Sequence, residues 1–223
     1  MQGDKGMASD LVDLSHPIEE SMPFFPGTEP PKIVDSFTIP GNGFAEKGLR
    51  LLSHTGTHVD APCHLLAGAA TLDELGPGHF YGPGRVLDVS HVLGRPIAIA
   101  DLRREEAAIA AADFVLLHSG WHRYWGEAGY FGAYPVLSPE AAAWLSGFGL
   151  KGVGVDTVSL DEVDSTALVV HRTFLAKNIV LVENLANLKT LIGRNFIFSC
   201  LPLRIAGGDG SPVRAVAILE SKT

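Results

Sequence analysis

Short apolar runs separated by turn-forming residues set the rhythm of this chain. Leu11–Leu14, Ile33–Ile39, Gly48–Ser53 and Arg85–Val89 read as strands. The second is closed by Pro40-Gly41-Asn42-Gly43, a strong turn signal. Further on, Phe114–Leu117, Val153–Val155 and Ile179–Val182 each follow a stretch of helical character. Asp101 reads as the N-cap of an Ala-rich helix ending near Ala112. Ser138-Pro139-Glu140 predicts a second helix, capped by Ser, opened by Pro and stopped at Gly147 or Gly149. Ser165 or Thr166 predicts a third, running to Lys177. Apolar runs that follow helices point to an α/β architecture. Phe196–Ile205 and Val213–Leu219 read as two strands joined by Gly207-Gly208-Asp209-Gly210-Ser211. A Gly-rich loop between strands is a hairpin turn, since a phosphate cradle needs a helix after it.

Composition narrows the class. The chain has 223 residues, 46% hydrophobic and 19% charged. A chain of that length buries about 70% of its unfolded surface, enough for one sizeable core, and the composition excludes a disordered polymer. The net charge of -8 and the lack of a Lys/Arg run argue against a nucleic-acid partner. No apolar run approaches the roughly 18 residues of a membrane span. Residues 1–10 are polar, without a signal-peptide pattern, and read as a disordered or tag-derived lead with Met7 as a candidate native start; residues 11–223 read as one domain. Two cysteines, Cys63 and Cys200, make no disulfide framework, so a cytoplasmic location is expected.

The chemistry concentrates in His54-Thr55-Gly56-Thr57-His58-Val59-Asp60-Ala61-Pro62-Cys63-His64. His54, His58, Asp60 and His64 share one face of an extended chain, with Cys63 on the other. A straight strand holds His54 and His58 roughly 13 Å apart, too far for one ion. The segment is therefore expected to bend at Gly56-Thr57, where glycine permits it. Neutral imidazoles beside a carboxylate are ligands for Zn²⁺ or Mn²⁺; a hydrogen-bonded polar cluster is the other reading of the same residues. No G-x-S-x-G supports a serine hydrolase, and the adjacency of His118 and Ser119 is not triad geometry.

The pattern H-x-G-T-H-x-D-x-P-x-H resembles the cyclase-like metal-dependent hydrolase family, which includes bacterial kynurenine formamidases and isatin hydrolases. Leu11-Val12-Asp13-Leu14-Ser15, Met22-Pro23-Phe24-Phe25-Pro26-Gly27, Gly120-Trp121, Gly154-Val155-Asp156-Thr157 with Ser159-Leu160-Asp161, Glu183-Asn184-Leu185 and Gly210-Ser211-Pro212-Val213-Arg214-Ala215 also fit, so the similarity spans nearly the whole chain after residue 10.

The resemblance implies a swivelling β/β/α domain with mixed sheets and a barrel-like core. It implies one or two divalent ions, zinc first and manganese second, held by His54, His58 and a bridging Asp60, with His171 and Glu183 completing a second position. His64 takes the role of catalytic proton shuttle. The implied reaction is hydrolysis of a small amide, with arylformamidase activity on N-formylkynurenine as the specific expectation. A cyclic-amide hydrolase of the isatin kind, a metal-dependent cyclase or lyase, and a non-catalytic metal-binding protein stand as alternatives. Phe24, Phe25 and Trp121 are candidate substrate contacts, and Trp121–Tyr134 is a candidate interface for the homodimer the family forms. The sequence departs from the formamidases at Phe25, where they usually carry Trp, and at Thr28-Glu29-Pro30, where they carry Asp-Pro after the Pro-Gly. That departure bears on the substrate more than on the chemistry.

Overall fold

A computed structural model describes residues 11–219; the expectation for residues 1–10 lies outside that range. In chain order the strands are β1 (Leu11–Asp13), β2 (Lys32–Phe37), β3 (Glu46–Arg50), β4 (His58–Asp60), β5 (Tyr81–Asp88), β6 (Phe114–His118), β7 (Gly152–Val155), β8 (Val180–Glu183), β9 (Phe196–Ser199), β10 (Gly210–Pro212) and β11 (Val216–Leu219). The helices are short: α1 (Ile39–Asn42), α2 (Ile99–Leu102), α3 (Glu106–Ala110), α4 (Pro139–Leu145) and α5 (Val169–Leu175).

Nine strands form one mixed sheet in the order β1-β11-β9-β5-β6-β7-β8-β4-β10, and β2 pairs with β3 in a separate hairpin. The centre, β5-β6-β7-β8, is parallel. Both flanks are antiparallel, through β9 and β11 on one side and β4 and β10 on the other. Of these, β6, β7 and β8 are buried throughout and mainly apolar, as parallel strands covered on two sides must be, whereas β5 carries Arg85 and Asp88. Side chains alternate between two cores. Val115 and Leu117 of β6 join Val153 and Leu181 under α4 and α5, with Ala141, Leu145, Val170 and Phe174. Phe114 and Leu116 point the other way and meet Leu14, Val59, Val182, Phe198 and Ala217. Residues from both ends of the sheet thus share one interior, and the Ala186 N–H donates to the Leu14 carbonyl across it. The sheet is curled into a half-barrel with its helices outside.

Several element boundaries differ from the sequence reading. Ser138 caps α4 as expected, its Oγ accepting from the Ala141 N–H at 3.1 Å, but α4 ends at Leu145, before either glycine. Asp101 is not an N-cap. It sits inside α2 and accepts from the Ala98 N–H at 2.8 Å, half of a capping box because Ala98 has no side-chain acceptor. Neither Ser165 nor Thr166 caps α5, which starts at Val169 after Leu168 takes a left-handed φ of 46°. The Gly-rich loop is not a simple hairpin turn: Gly210–Pro212 leaves it to pair with β4 on the far edge of the sheet.

Candidate metal centre and cavity

The bend expected near Gly56 is present. Gly56 adopts φ +66°, a region costly for any residue with a Cβ, and an added Cβ would lie 3.3 Å from Met22 Cε. The chain turns there and enters β4. The rings of His54 and His58 consequently stand 5.1 Å apart between centroids. His58 and Asp60 project from one face of β4, two residues apart. β4 pairs antiparallel with β8, and His58 is the Cα partner of Glu183. α5 carries His171 over the same end of β8. His64 closes the group from the helical turn Pro62–His64.

Asp60 is the hub. Its Oδ1 lies 2.7 Å from His54 Nδ1 and 3.3 Å from His58 Nε2, while Oδ2 faces His171 Nε2 at 3.8 Å. Glu183 spans the same gap, with Oε2 3.4 Å from His58 Nε2 and Oε1 3.1 Å from His171 Nε2. His54, His58 and Asp60 form one potential ligand group and Asp60, His171 and Glu183 a second. His58, Asp60, His171 and Glu183 are all buried.

Each imidazole is also pinned from behind. His58 Nδ1 donates to the Gly56 carbonyl at 2.8 Å. His171 Nδ1 donates to Asp161 Oδ2 at 2.7 Å. His54 Nε2 lies 3.1 Å from Asp209 Oδ2. The inner nitrogen of each ring is thereby aimed at the carboxylates around Asp60, as in metal-ligating histidines whose far nitrogen is held by an acceptor, and shares with them a proton that a bound ion would displace. Asp161 also accepts from the Val170 and His171 N–H groups at 3.0 Å and so starts α5. Gly210 permits the approach of β10, since a Cβ there would lie 2.6 Å from the His54 ring.

The electrostatics match. Burial opposes charge on His58 and His171, yet the facing carboxylates outweigh it and hold both up to about 10. Burial likewise works against Asp60, but the charge of His58 and the hydrogen bond from His54 keep it well below the usual carboxylate range. Burial also opposes charge on Glu183, which hydrogen bonds from His171 and His58 hold down. The site therefore demands positive charge between its carboxylates. His64 is different: burial pushes it below its ordinary value. Its ring lies 4.0 Å from that of His54, and its Nδ1 is 3.7 Å from Asp209 Oδ2.

The group opens into a cavity of about 380 Å³ with a largely apolar wall that includes Met22, Phe24, Phe25, Phe131, Val158 and Leu168. Phe24 and Phe25, two of the expected substrate contacts, line this cavity. Trp121 does not line this cavity. Its Nε1 donates to the Tyr130 carbonyl at 2.9 Å, and it packs with Tyr124 and Tyr134 in a satellite cluster. Within Trp121–Tyr134, Tyr130 and Tyr134 are buried, while Arg123 and Gly126–Gly129 are exposed. Four contributors escaped the sequence reading: Asp161 as the acceptor behind His171, Asp209 as the acceptor behind His54, and the pair Tyr130–Asn184. The Tyr130 hydroxyl donates to Asn184 Oδ1 at 2.6 Å, and Asn184 Nδ2 donates to the Gly56 carbonyl at 2.9 Å. No local spacing betrays these, because their partners lie 10 to 155 residues away.

Fold and donor set together define a mixed α/β protein with a candidate divalent-cation centre at the C-terminal end of a parallel strand. The chain belongs to the Cyclase family, whose profile matches residues 12–162. The kynurenine formamidase of Bacillus mycoides (strain KBAB4) is 31% identical over 210 residues, covering 93% of this chain and 97% of that protein. Isatin hydrolase A from Ralstonia solanacearum superposes with a TM-score of 0.82 at 27% identity, covering 94% of this chain and 92% of that one. A chain described as a potential metal-dependent hydrolase with cyclase activity gives a TM-score of 0.79 at 25% identity, covering 96% and 99%.

Proposed function

We propose that the protein is a metal-dependent hydrolase of a small aryl amide, with N-formylkynurenine as the first substrate to test. The observation that carries this reading is the triple pinning of His54, His58 and His171, which aims the inner nitrogens of three imidazoles at a buried carboxylate hub. His54, His58 and Asp60 would hold one divalent ion, and Asp60, His171 and Glu183 a second. Nitrogen and carboxylate donors suit zinc first and manganese second. When bound, such an ion supplies Lewis acidity toward a carbonyl and acidifies water.

The chain's own residues do the rest. The aromatic and aliphatic wall of Phe24, Phe25 and Phe131 takes up the aryl ring and excludes water. His64, kept neutral by burial, accepts a proton from the attacking water and returns it to the leaving nitrogen. Water thereby adds across the C–N bond, giving an acid and an amine.

The same reading makes the protein a cytoplasmic homodimer. Both cysteines are free, and the β2–β3 hairpin exposes Val34, Phe37, Ile39, Phe44 and Leu49, an apolar surface suited to a second copy. No helix among the described residues is long and apolar enough to cross a membrane.

The test is metal content on protein purified without added metal, followed by formate release from N-formylkynurenine. We expect bound zinc or manganese and turnover. His64→Ala should keep the metal and lose about 100-fold or more in kcat. Full activity in His64→Ala would remove the shuttle; turnover undiminished by a chelator would remove the metal.

A further inference from the structure

Away from the cavity, two more imidazoles converge on a buried carboxylate. His118 ends β6 and Asp156 follows β7, so the parallel β6–β7 pairing brings them side by side. His122 arrives from the helical turn Trp121–Tyr124. His118 Nδ1 is 3.2 Å and His122 Nδ1 3.4 Å from the same atom, Asp156 Oδ2. Asp156 is fully buried, whereas 27% of the His122 side chain is exposed, so the group is reached from one side.

Hydrogen bonding alone does not account for this arrangement. Asp156 Oδ1 already accepts from the Ser119 N–H and hydroxyl, and Oδ2 from the Gly120 N–H at 2.8 Å. Adding both imidazoles would load a carboxylate that offers about four acceptor sites with one donor too many, three of them on one oxygen. The imidazole separations also exceed the roughly 2.7–2.9 Å of charge-assisted hydrogen bonds. They match the ~3.3 Å between neighbouring ligand atoms of a tetrahedral zinc ion with bonds of about 2.0–2.1 Å. Beside the group lies His16, stacked on Trp125 at 4.0 Å and close enough for the charges of His122 and Asp156 to act on it. Its Nε2 is buried without a hydrogen-bond partner among the described residues.

We propose that His118, His122 and Asp156 form an auxiliary transition-metal site, selective for zinc, that fastens the segment after β6 to the sheet. Two imidazoles and one carboxylate suit zinc better than magnesium or calcium, which favour oxygen donors. The site shares no ligand with the groups around Asp60. Its reach is longer than its size, because the fastened segment carries Tyr130, whose hydroxyl holds Asn184 and through it the Gly56 carbonyl behind His58.

The experiment is a zinc titration of metal-stripped full-length protein against a chromophoric competitor, with melting curves in parallel. Four forms are compared: wild type, His122→Ala, the His58→Ala/His171→Ala double variant, and that double variant with His122→Ala added. We expect His122→Ala to lose one zinc per chain in both backgrounds. The double variant should still bind zinc and gain about 5 °C in Tm at saturation, a gain absent once His122 is also replaced. Equal zinc stoichiometry with and without His122 would overturn the proposal. Should the double variant not fold, wild type against His122→Ala decides the matter alone, since His122 is partly exposed and outside the hydrophobic cores.

Discussion

His58 and Glu183 are Cα partners in the β4–β8 ladder, and their side chains close to 3.4 Å on one face of the sheet. A backbone register therefore sets the spacing between a histidine of the central motif and a carboxylate far along the chain. Register in a buried sheet is strongly specified, because a slip by one residue would turn every side chain to the other face. The centre inherits that rigidity.

Glu183→Gln keeps the shape but removes the charge that His58 and His171 both face. Losing an outer partner of a ligand costs about 10–100-fold in metal affinity, so losing a proposed ligand should exceed about 100-fold. A competition titration with a chromophoric chelator measures it, and an unchanged affinity would exclude Glu183 from the ligand set.

Asp161→Asn should act more mildly. All proposed ligands stay, but His171 loses the carboxylate that aims its ring, and metal affinity should fall about 10–100-fold. The ratio between the Asp161 and Glu183 variants in the same titration separates an orienting role from a ligating one.

Gly56→Ala probes the bend. The left-handed φ of +66° costs an L-residue about 1–2 kcal/mol, and the new methyl group must also displace Met22. At roughly 2–4 °C per kcal/mol for a chain of this size, Tm should fall by several degrees. Metal affinity should fall with it, because His54 and His58 meet only through this turn. A variant with lowered Tm and wild-type metal affinity would show that the bend is not needed for ligand convergence.

Asp101 gives a pH signature remote from the metal centre. Hydrogen bonds from Arg95 at 2.7 and 2.8 Å outweigh burial and hold its carboxyl down to about 2, from an ordinary 3.8. A depressed carboxyl stabilises the fold fully above about pH 4, and the contribution is lost as pH falls toward 2. Asp101→Asn should cost about 0.5 kcal/mol at pH 7, the size of a carboxylate's interaction with the first turn of a helix. The Tm difference from wild type should shrink between pH 4 and pH 2; a difference constant across that window would assign the effect to shape and not to charge.

Much of this protein was legible in one dimension. Three parallel strands announce themselves as the unbroken apolar runs Phe114–Leu117, Val153–Val155 and Ile179–Val182, because strands covered on both faces have no polar side to show. Ser138-Pro139 marks a helix start through strictly local hydrogen bonding. The motif from His54 to His64 names its own donors, and the glycine within it shows where the chain must turn. Weak local signals failed where longer-range pairing overruled them. Asp101 lies inside its helix, its carboxylate bound by Arg95 and the Ala98 N–H. Gly210 left a turn to become an edge strand against β4, and Trp121 faced its own aromatic cluster instead of the cavity.

Sequence alone thus determined the kinds of donor, their local order and the bend that gathers the first of them, since these depend on neighbours a few residues apart. Only the tertiary structure decided that Glu183 meets His58, that Asp161 and Asp209 stand behind His171 and His54, and that His118 and His122 share Asp156. Those relationships arise from the register and curl of a sheet whose partners are 34 to 155 residues apart, or from a helix start folded over it. Such pairings are set by the burial of whole faces, which no short stretch of residues encodes.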